Sequence, residues 1–304
     1  MKTRYLPISI LYLAILFMFT SCLNTTGDSA AQEAFSKTAA TSVQNTESGL
    51  KGTEQAVPVY DSNKPEPKTF KFISKLPDTI KEGILIKKYS PAYTSFRIRT
   101  SKDITIITDP YEMDEDIEAD IVTESHQHLD HCDVSRIKGS YKLFTDPGEY
   151  NVKGINIAGI AGHHNVGDMA GTNNIFVFDI DGIRIAEFAS QGQEPDEEMY
   201  KKISSADVLI LQLFDGNGKL TLEECRKITT RLKSKIIIPA HGDDNLKESF
   251  AALVGGDVYI ADSNEAYVSK SVIQKITRPR VLILDNWENR TGYNPYTYDG
   301  EAYD

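Results

Sequence analysis

Short apolar runs punctuate the chain from about residue 69 onward. The first four, FKFIS, ILIKKY, SFRIRT and ITIITDP, follow one another at close intervals up to Tyr111. Runs of that length, β-branched and bounded by turn residues, predict successive hairpins or a meander. Beyond them INIAGI, NIFVFDI, IRIAEF, VLILQLF and KIIIPAH are interleaved with EPDEEMYKKI and TLEECRKITTRLK, which have helical periodicity. In the second of these Leu222, Cys225, Ile228 and Leu232 line one face, so Cys225 is expected in a buried position. The segment DIDG at 179–182 joins two strand runs, and its Asp-Gly pair supplies the positive φ that a two-residue hairpin turn needs. Strands and helices mixed without a break in composition predict one α/β domain over about 69–285.

The two ends of the chain follow other rules. Lys2 and Arg4 precede an apolar run from Tyr5 to Phe19, the layout of a secretory signal over residues 1–21. The run is short for a membrane span. It leads into FTSC, which resembles the cleavage and lipidation site of bacterial lipoproteins. That resemblance implies cleavage before Cys22 and acyl chains on it, each buried methylene contributing about 0.8 kcal/mol of membrane affinity. The expected protein is an extracytoplasmic, membrane-anchored lipoprotein. Residues 22–68 carry no sustained apolar period and read as a polar, flexible tether whose last stretch holds Pro58, Pro65 and Pro67. The Tyr-rich, acidic, aperiodic tail 286–304 predicts a surface wrap or disorder.

Charge narrows the partners. A formal net charge of −11 with no long Lys/Arg run argues against nucleic acid, whose phosphates such a surface repels. A small-molecule substrate is the expected partner. With Cys22 lipidated, Cys132 and Cys225 are too few for a disulfide framework. Cys132 directly follows a histidine cluster and is expected beside it, outside the ligand set.

That cluster is SHQHLDH, residues 125–131, in a chain with only six histidines. His126, His128, Asp130 and His131 follow the apolar stretch DIVT, which predicts a strand running into a donor-bearing loop. His163 and His164 follow INIAGIAG, and His241 follows KIIIPA. All six histidines therefore stand at three strand ends. Imidazole and carboxylate gathered this way point to a divalent metal, zinc before others.

Residues from about 84 to 245 resemble the metallo-β-lactamase fold superfamily, and more closely its branch of predicted zinc-dependent hydrolases that includes the L-ascorbate-6-phosphate lactonases. IITDPY resembles the early motif ending in an aspartate, here Asp109, and SHQHLDH resembles the signature motif. DPGEYNVKGINIAGIAGHHN, GTNNIFVFDIDGIRIAEF and IIIPAHGD resemble the segments that follow, in the same order. The resemblance implies a four-layer αββα sandwich with the site at one edge between the sheets. It implies one metal on His126, His128 and His164, with His163 as the alternative third ligand, and a second on Asp130, His131 and His241. Asp109 would support the metal loop through hydrogen bonds.

One motif departs from that pattern. Relatives end the second hairpin strand in Gly-Asp, whose carboxylate bridges two ions; this chain has Ala189 and Ser190. A hydroxyl is a poor zinc ligand beside carboxylate or imidazole, so the two sites are expected to be unequal. Strand alternation predicts that Glu187 points away from Ser190, and Gln191 or Glu194 would reach the site only if the loop is rearranged. The expected function is a membrane-tethered hydrolase with one or two Zn2+ ions, in which Asp130 orients or deprotonates an attacking water. Esters, lactones, amides and phosphoesters are the substrate classes this implies, and a true β-lactamase is not favoured. The alternative is a lipoprotein that binds a metal or ligand and has lost turnover.

Overall fold

The computed structural model describes residues 66–72, 76–77, 79–90, 93–165, 171–214 and 219–284. The signal segment, Cys22, most of the tether and the tail 286–304 lie outside the described residues.

The first half of the fold is built from β1 (Thr69–Phe72), β2 (Ile84–Lys88), β3 (Phe96–Thr100), β4 (Thr105–Thr108), β5 (Ile117–Glu118) and β6 (Ile121–Thr123). A one-turn helix α1 (Leu129–Cys132) precedes β7 (Ile137–Lys138), β8 (Lys142–Phe144) and β9 (Gly148–Val152). The long pair β10 (Ile155–Gly162) and β11 (Asn173–Ile180) leads to β12 (Ile183–Glu187), α2 (Glu197–Ile203) and β13 (Val208–Leu211). Last come α3 (Leu222–Leu232), β14 (Ile236–Pro239), α4 (Asp244–Val254), β15 (Asp257–Ala261), β16 (Glu265–Val268), α5 (Lys270–Gln274) and β17 (Arg280–Ile283).

These strands form two main sheets. The nine-stranded sheet has the order β1-β15-β17-β14-β13-β12-β11-β10-β9, and the six-stranded sheet the order β16-β2-β3-β4-β6-β8. The expected meander exists as the antiparallel run β2-β3-β4. β1 departs from it, pairing parallel to β15 in the other sheet, Thr69 opposite Val258. Nothing local in FKFIS could specify a partner nearly two hundred residues away in sequence. The DIDG hairpin forms as expected, with Asp181 and Gly182 both left-handed at φ 50° and 76°.

Three apolar clusters define the layers. Ile86, Phe96, Ile98 and Ile106 of the smaller sheet meet Ile157, Phe176, Phe178, Ile185, Ile210 and Ile238 of the larger one. The outer face of the larger sheet is covered by Met199, Tyr200 and Ile203 of α2, by Leu222, Cys225, Ile228 and Leu232 of α3, and by Phe250 of α4. Helix α3 starts at a complete capping box between Thr221 and Glu224, which satisfies two of its otherwise unpaired amides. The outer face of the smaller sheet carries a thinner layer, Met113, Ile117, Ile137 and the 3-10 turn at Val134, over Tyr89, Ile107 and Val122. This is the four-layer sandwich, with one outer layer reduced to a two-stranded ribbon and short turns.

β2, β4 and β6 run in one direction in the smaller sheet, and β10, β12, β13 and β14 run mutually parallel in the larger. Their carboxyl ends carry Lys88, Asp109, the 125–131 loop, His164, Ser190, Gln212 and His241. Ile238 is fully buried between the sheets, two residues before the chain emerges toward His241. Ile238→Ala is expected to lower stability by about 2–5 kcal/mol, read as a reduced urea midpoint at unchanged slope.

Candidate metal centre

The strained turn at Asp109 organises the site. Asp109 follows β4 in a left-handed conformation, φ 42°, and its side chain is 1% exposed. Its Oδ1 accepts from the Ser125 backbone N–H at 2.7 Å, and its Oδ2 accepts from Ser125 Oγ at 2.8 Å and Thr94 Oγ1 at 3.3 Å. The same Oδ2 lies 2.7 Å from His131 Nδ1. A carboxylate offers no proton, so Nδ1 carries it and Nε2 faces the site. The Asn174 backbone N–H donates to Ser125 O at 2.8 Å, tying the loop to the larger sheet.

The histidines gather on this frame. One ring nitrogen from each of His126, His128 and His164 lies within 4.8 Å of the others. His126 Nε2 stands 3.0 Å from His128 Nδ1, and Ser125 Oγ is 2.9 Å from His126 Nδ1. Burial lowers the His126 pKa to about 2, and the neighbouring imidazoles of His131, His164 and His128 push it the same way. The ring is therefore neutral and ready to donate a lone pair. His164 completes this cluster. His163 has its backbone engaged instead: its N–H donates to Gln191 Oε1 at 2.9 Å and its C=O accepts from Gly192 at 2.7 Å. Gly162 makes that contact possible, because a Cβ there would meet Gln191 Oε1 at 2.3 Å.

His131 stands beside this cluster, its ring centroid 4.1 Å from that of His126. Its Nε2 is 3.4 Å from Asp130 Oδ2 and 3.3 Å from Ser190 Oγ. Burial alone would lower the His131 pKa, but the charge and hydrogen bond of Asp109, then those of Asp130, push it up to about 9. Burial would likewise raise the Asp130 carboxyl, and the hydrogen bond and charge of His131 overcome that and hold it well below its ordinary range. Asp130 is one-third exposed and reaches the open side. His241 has its pKa lowered by burial first, then by the positive charges of Lys88 and Lys219 and by His131.

Around position 190 the chain departs from the simplest expectation. Ala189 is left-handed at φ 46°, an expensive conformation for a residue with a Cβ. The turn it makes breaks strand alternation. Ser190 and Glu187 consequently do not point to opposite environments: Glu187 is buried, accepts from Thr108 Oγ1 at 2.9 Å, and interacts electrostatically with Asp109 and His131. Burial, then the Asp109 charge, raises the Glu187 carboxyl well above its usual range. The Ser190 amide donates to Asn173 Oδ1 at 3.2 Å, and Gln212 Nε2 donates to Ser190 Oγ at 3.0 Å. Gln212 is buried, and its Oε1 has no hydrogen-bond partner among the described residues. Glu194 stays away from the histidines, its carboxylate taken by Tyr200 and Lys227. Cys132, the last residue of α1, is buried and lies outside the cluster.

Lys88, Thr94 and Gln212 were not singled out by sequence. Lys88 reads locally as one more charge in ILIKKY, and Gln212 as an interruption in VLILQLF. Only a polar residue inside an otherwise apolar strand end hinted at either.

In the metal-free protein the protonated His131 between two carboxylates has a testable consequence. A group whose folded pKa exceeds its unfolded value stabilises fully below the unfolded pKa and loses that contribution as pH rises through the folded one. Melting temperatures of the chelated protein are therefore expected to fall between about pH 6.5 and 9, and His131→Gln is expected to flatten that slope.

The Beta-lactamase superfamily domain family matches residues 90–241, half of the chain. No curated protein matches it. A protein from Thermotoga maritima, described as a Zn-dependent hydrolase of the metallo-beta-lactamase superfamily, is 26% identical with a TM-score of 0.54, over 66% of this chain and 98% of that one. A protein described as a metal-dependent hydrolase from Parabacteroides distasonis is 18% identical, over 60% and 95% of the two chains, with a TM-score of 0.47. The metallo-beta-lactamase fold protein YhfI from Bacillus subtilis is 14% identical, over 62% and 98%, with a TM-score of 0.47. The strand-end histidines all stand within the matched residues 90–241, and the chain belongs to the beta-lactamase superfamily domain family.

Proposed function

We propose that the protein is a membrane-tethered, metal-dependent hydrolase that holds one divalent ion tightly, zinc by its donor set, on His126, His128 and His164. The observation that carries this reading is the convergence of three ring nitrogens within 4.8 Å, from two strand-end loops. The donor set fits: three imidazoles, one of them neutral far below physiological pH, are the ligands zinc takes in open catalytic sites. The Thermotoga maritima protein, described as Zn-dependent, supports the same choice. A zinc ion there would supply Lewis acidity and acidify a bound water.

The rest of the chemistry belongs to side chains. Asp130, ionised and open to the cleft, orients the attacking water and takes its proton at Oδ. Asp109 fixes the His131 ring so that Nε2 faces Asp130 and Ser190. A second ion on Asp130, His131 and His241 is disfavoured. Two dications about 4 Å apart repel by roughly 16 kcal/mol at an effective dielectric of 20, four times a unit pair. Ser190 supplies no charge against that, and Lys88 and Lys219 add to it.

The substrate we propose is an ester, lactone, amide or phosphoester. The signal-like residues 1–21 and Cys22, outside the described residues, support tethering at an extracytoplasmic membrane face. The Ser190–Gln212 pair is the one observation that favours the second reading, a ligand-binding lipoprotein without turnover.

The test is turnover by the zinc-loaded full chain on a panel of generic esters, lactones and phosphodiesters. His126→Ala and His164→Ala are each expected to lower kcat/KM by at least about 10³-fold, the loss of a metal ligand. His163→Ala is expected to stay within about tenfold. Zinc binding without turnover on every substrate class, even in Ser190→Asp, would favour the second reading.

A further inference from the structure

Beyond the three-histidine cluster the cleft turns basic and aromatic around His241. Lys88, the last residue of β2, is fully buried, and its Nζ donates to Pro239 O at 3.2 Å, two residues before His241. Burying an ammonium in a site is costly and is retained where its charge has a use. Lys219 approaches from another element: its Nζ lies over the Phe214 ring at 5.1 Å from the centroid, and that ring is 5.0 Å from the His241 ring. Both ammonium charges act on the His241 imidazole. Tyr93 stands edge-on to His241 at 6.0 Å and edge-on to Tyr111 at 4.8 Å.

Tyr93, Tyr111, Phe214, Lys219 and His241 are all partly exposed, so this wall faces solvent while Lys88 is sealed beneath it. Among the described residues the acid that acts on the His241 ring is Asp130, which is turned to His131 at 3.4 Å. In a chain of net charge −11, two lysines acting on one neutral ring set its described surroundings apart from the overall charge. Positive charge in a cleft concentrates anions, and the aromatic edges beside it offer a flat apolar wall.

We propose that Lys88 and Lys219, with His241 between them, form a subsite for an oxyanion, a carboxylate or phosphate carried by the substrate. Lys219 makes the contact from the rim and Lys88 contributes its charge from below. The aromatic wall of Tyr93, Tyr111 and Phe214 packs against the body that bears the anion. This assignment rests on the hydrolase reading, since it places the scissile bond between the subsite and the three-histidine cluster. The substrate class it selects is an anionic ester, lactone or amide, or a phosphate-bearing one, over a neutral counterpart.

The experiment is calorimetric titration of inorganic phosphate, and separately of acetate, into the chelated full chain, repeated on Lys219→Met and Lys88→Met. Chelation removes the histidine-bound metal as a competing anion site. The expected result is binding of at least one of the two anions, weakened on the order of tenfold or more in each variant, the loss of one charge-assisted contact. Acetate binding alone assigns a carboxylate and phosphate binding alone a phosphate. Lys219→Met, at a partly exposed position, keeps the test open if Lys88→Met does not fold. Unchanged affinity in Lys219→Met, or no binding of either anion to the parent chain, overturns the subsite. Zinc content, measured on the same samples without chelator, separates the two claims: a parent chain that binds the anion and takes up no zinc sinks the hydrolase reading while leaving the anion site standing.

Discussion

The candidate centre depends on one buried carboxylate. Asp109 accepts hydrogen bonds from Ser125, Thr94 and His131 at once, so the end of β4, the loop after β6 and the turn before β3 are fixed relative to one another. A buried carboxylate with that many donors is held in position, and a partner removed would leave a buried polar group unsatisfied. The cost of its left-handed backbone is offset by those bonds. Every donor-bearing residue of the 125–131 loop inherits its placement from this anchor.

From the anchor outward the site divides into unlike halves. On one side are three imidazoles, each with a ring nitrogen within 4.8 Å of the others. On the other, Asp130, His131 and His241 share their surroundings with a serine hydroxyl, a glutamine amide and two lysines. The balance of charge decides what each half can hold. The first half offers imidazole donors alone, with His126 neutral among them, while the second has a serine at position 190 and so no carboxylate there to offset a second dication. Ala189 makes a left-handed turn that a glycine would make without strain, and the Ser190 that follows brings no charge to the site.

Much of this was legible in the sequence, for reasons that are local. The H-x-H-x-D-H spacing places its donors in one loop, and the apolar runs before His163 and His241 set those residues at strand ends. The Asp-Gly turn at 181–182 acts over a few positions and formed as expected. What sequence did not disclose depends on distant partners. β1 finds β15 across the length of the domain. Glu187 sits near Asp109 because a single left-handed residue breaks the alternation after it. Lys88 and Lys219 become a pair only when β2 and the segment after β13 are brought to one edge of the sandwich. Gln212 acquires meaning only through Ser190.

The central proposal, that the chain holds a single ion on three histidines because position 190 carries a hydroxyl and no carboxylate, is tested most directly by counting zinc per chain. Native mass spectrometry of the zinc-equilibrated, dialysed full chain, side by side with Ser190→Asp, reads the number outright. The account predicts one ion in the parent and two in the variant. Two tightly held ions in the parent would contradict it.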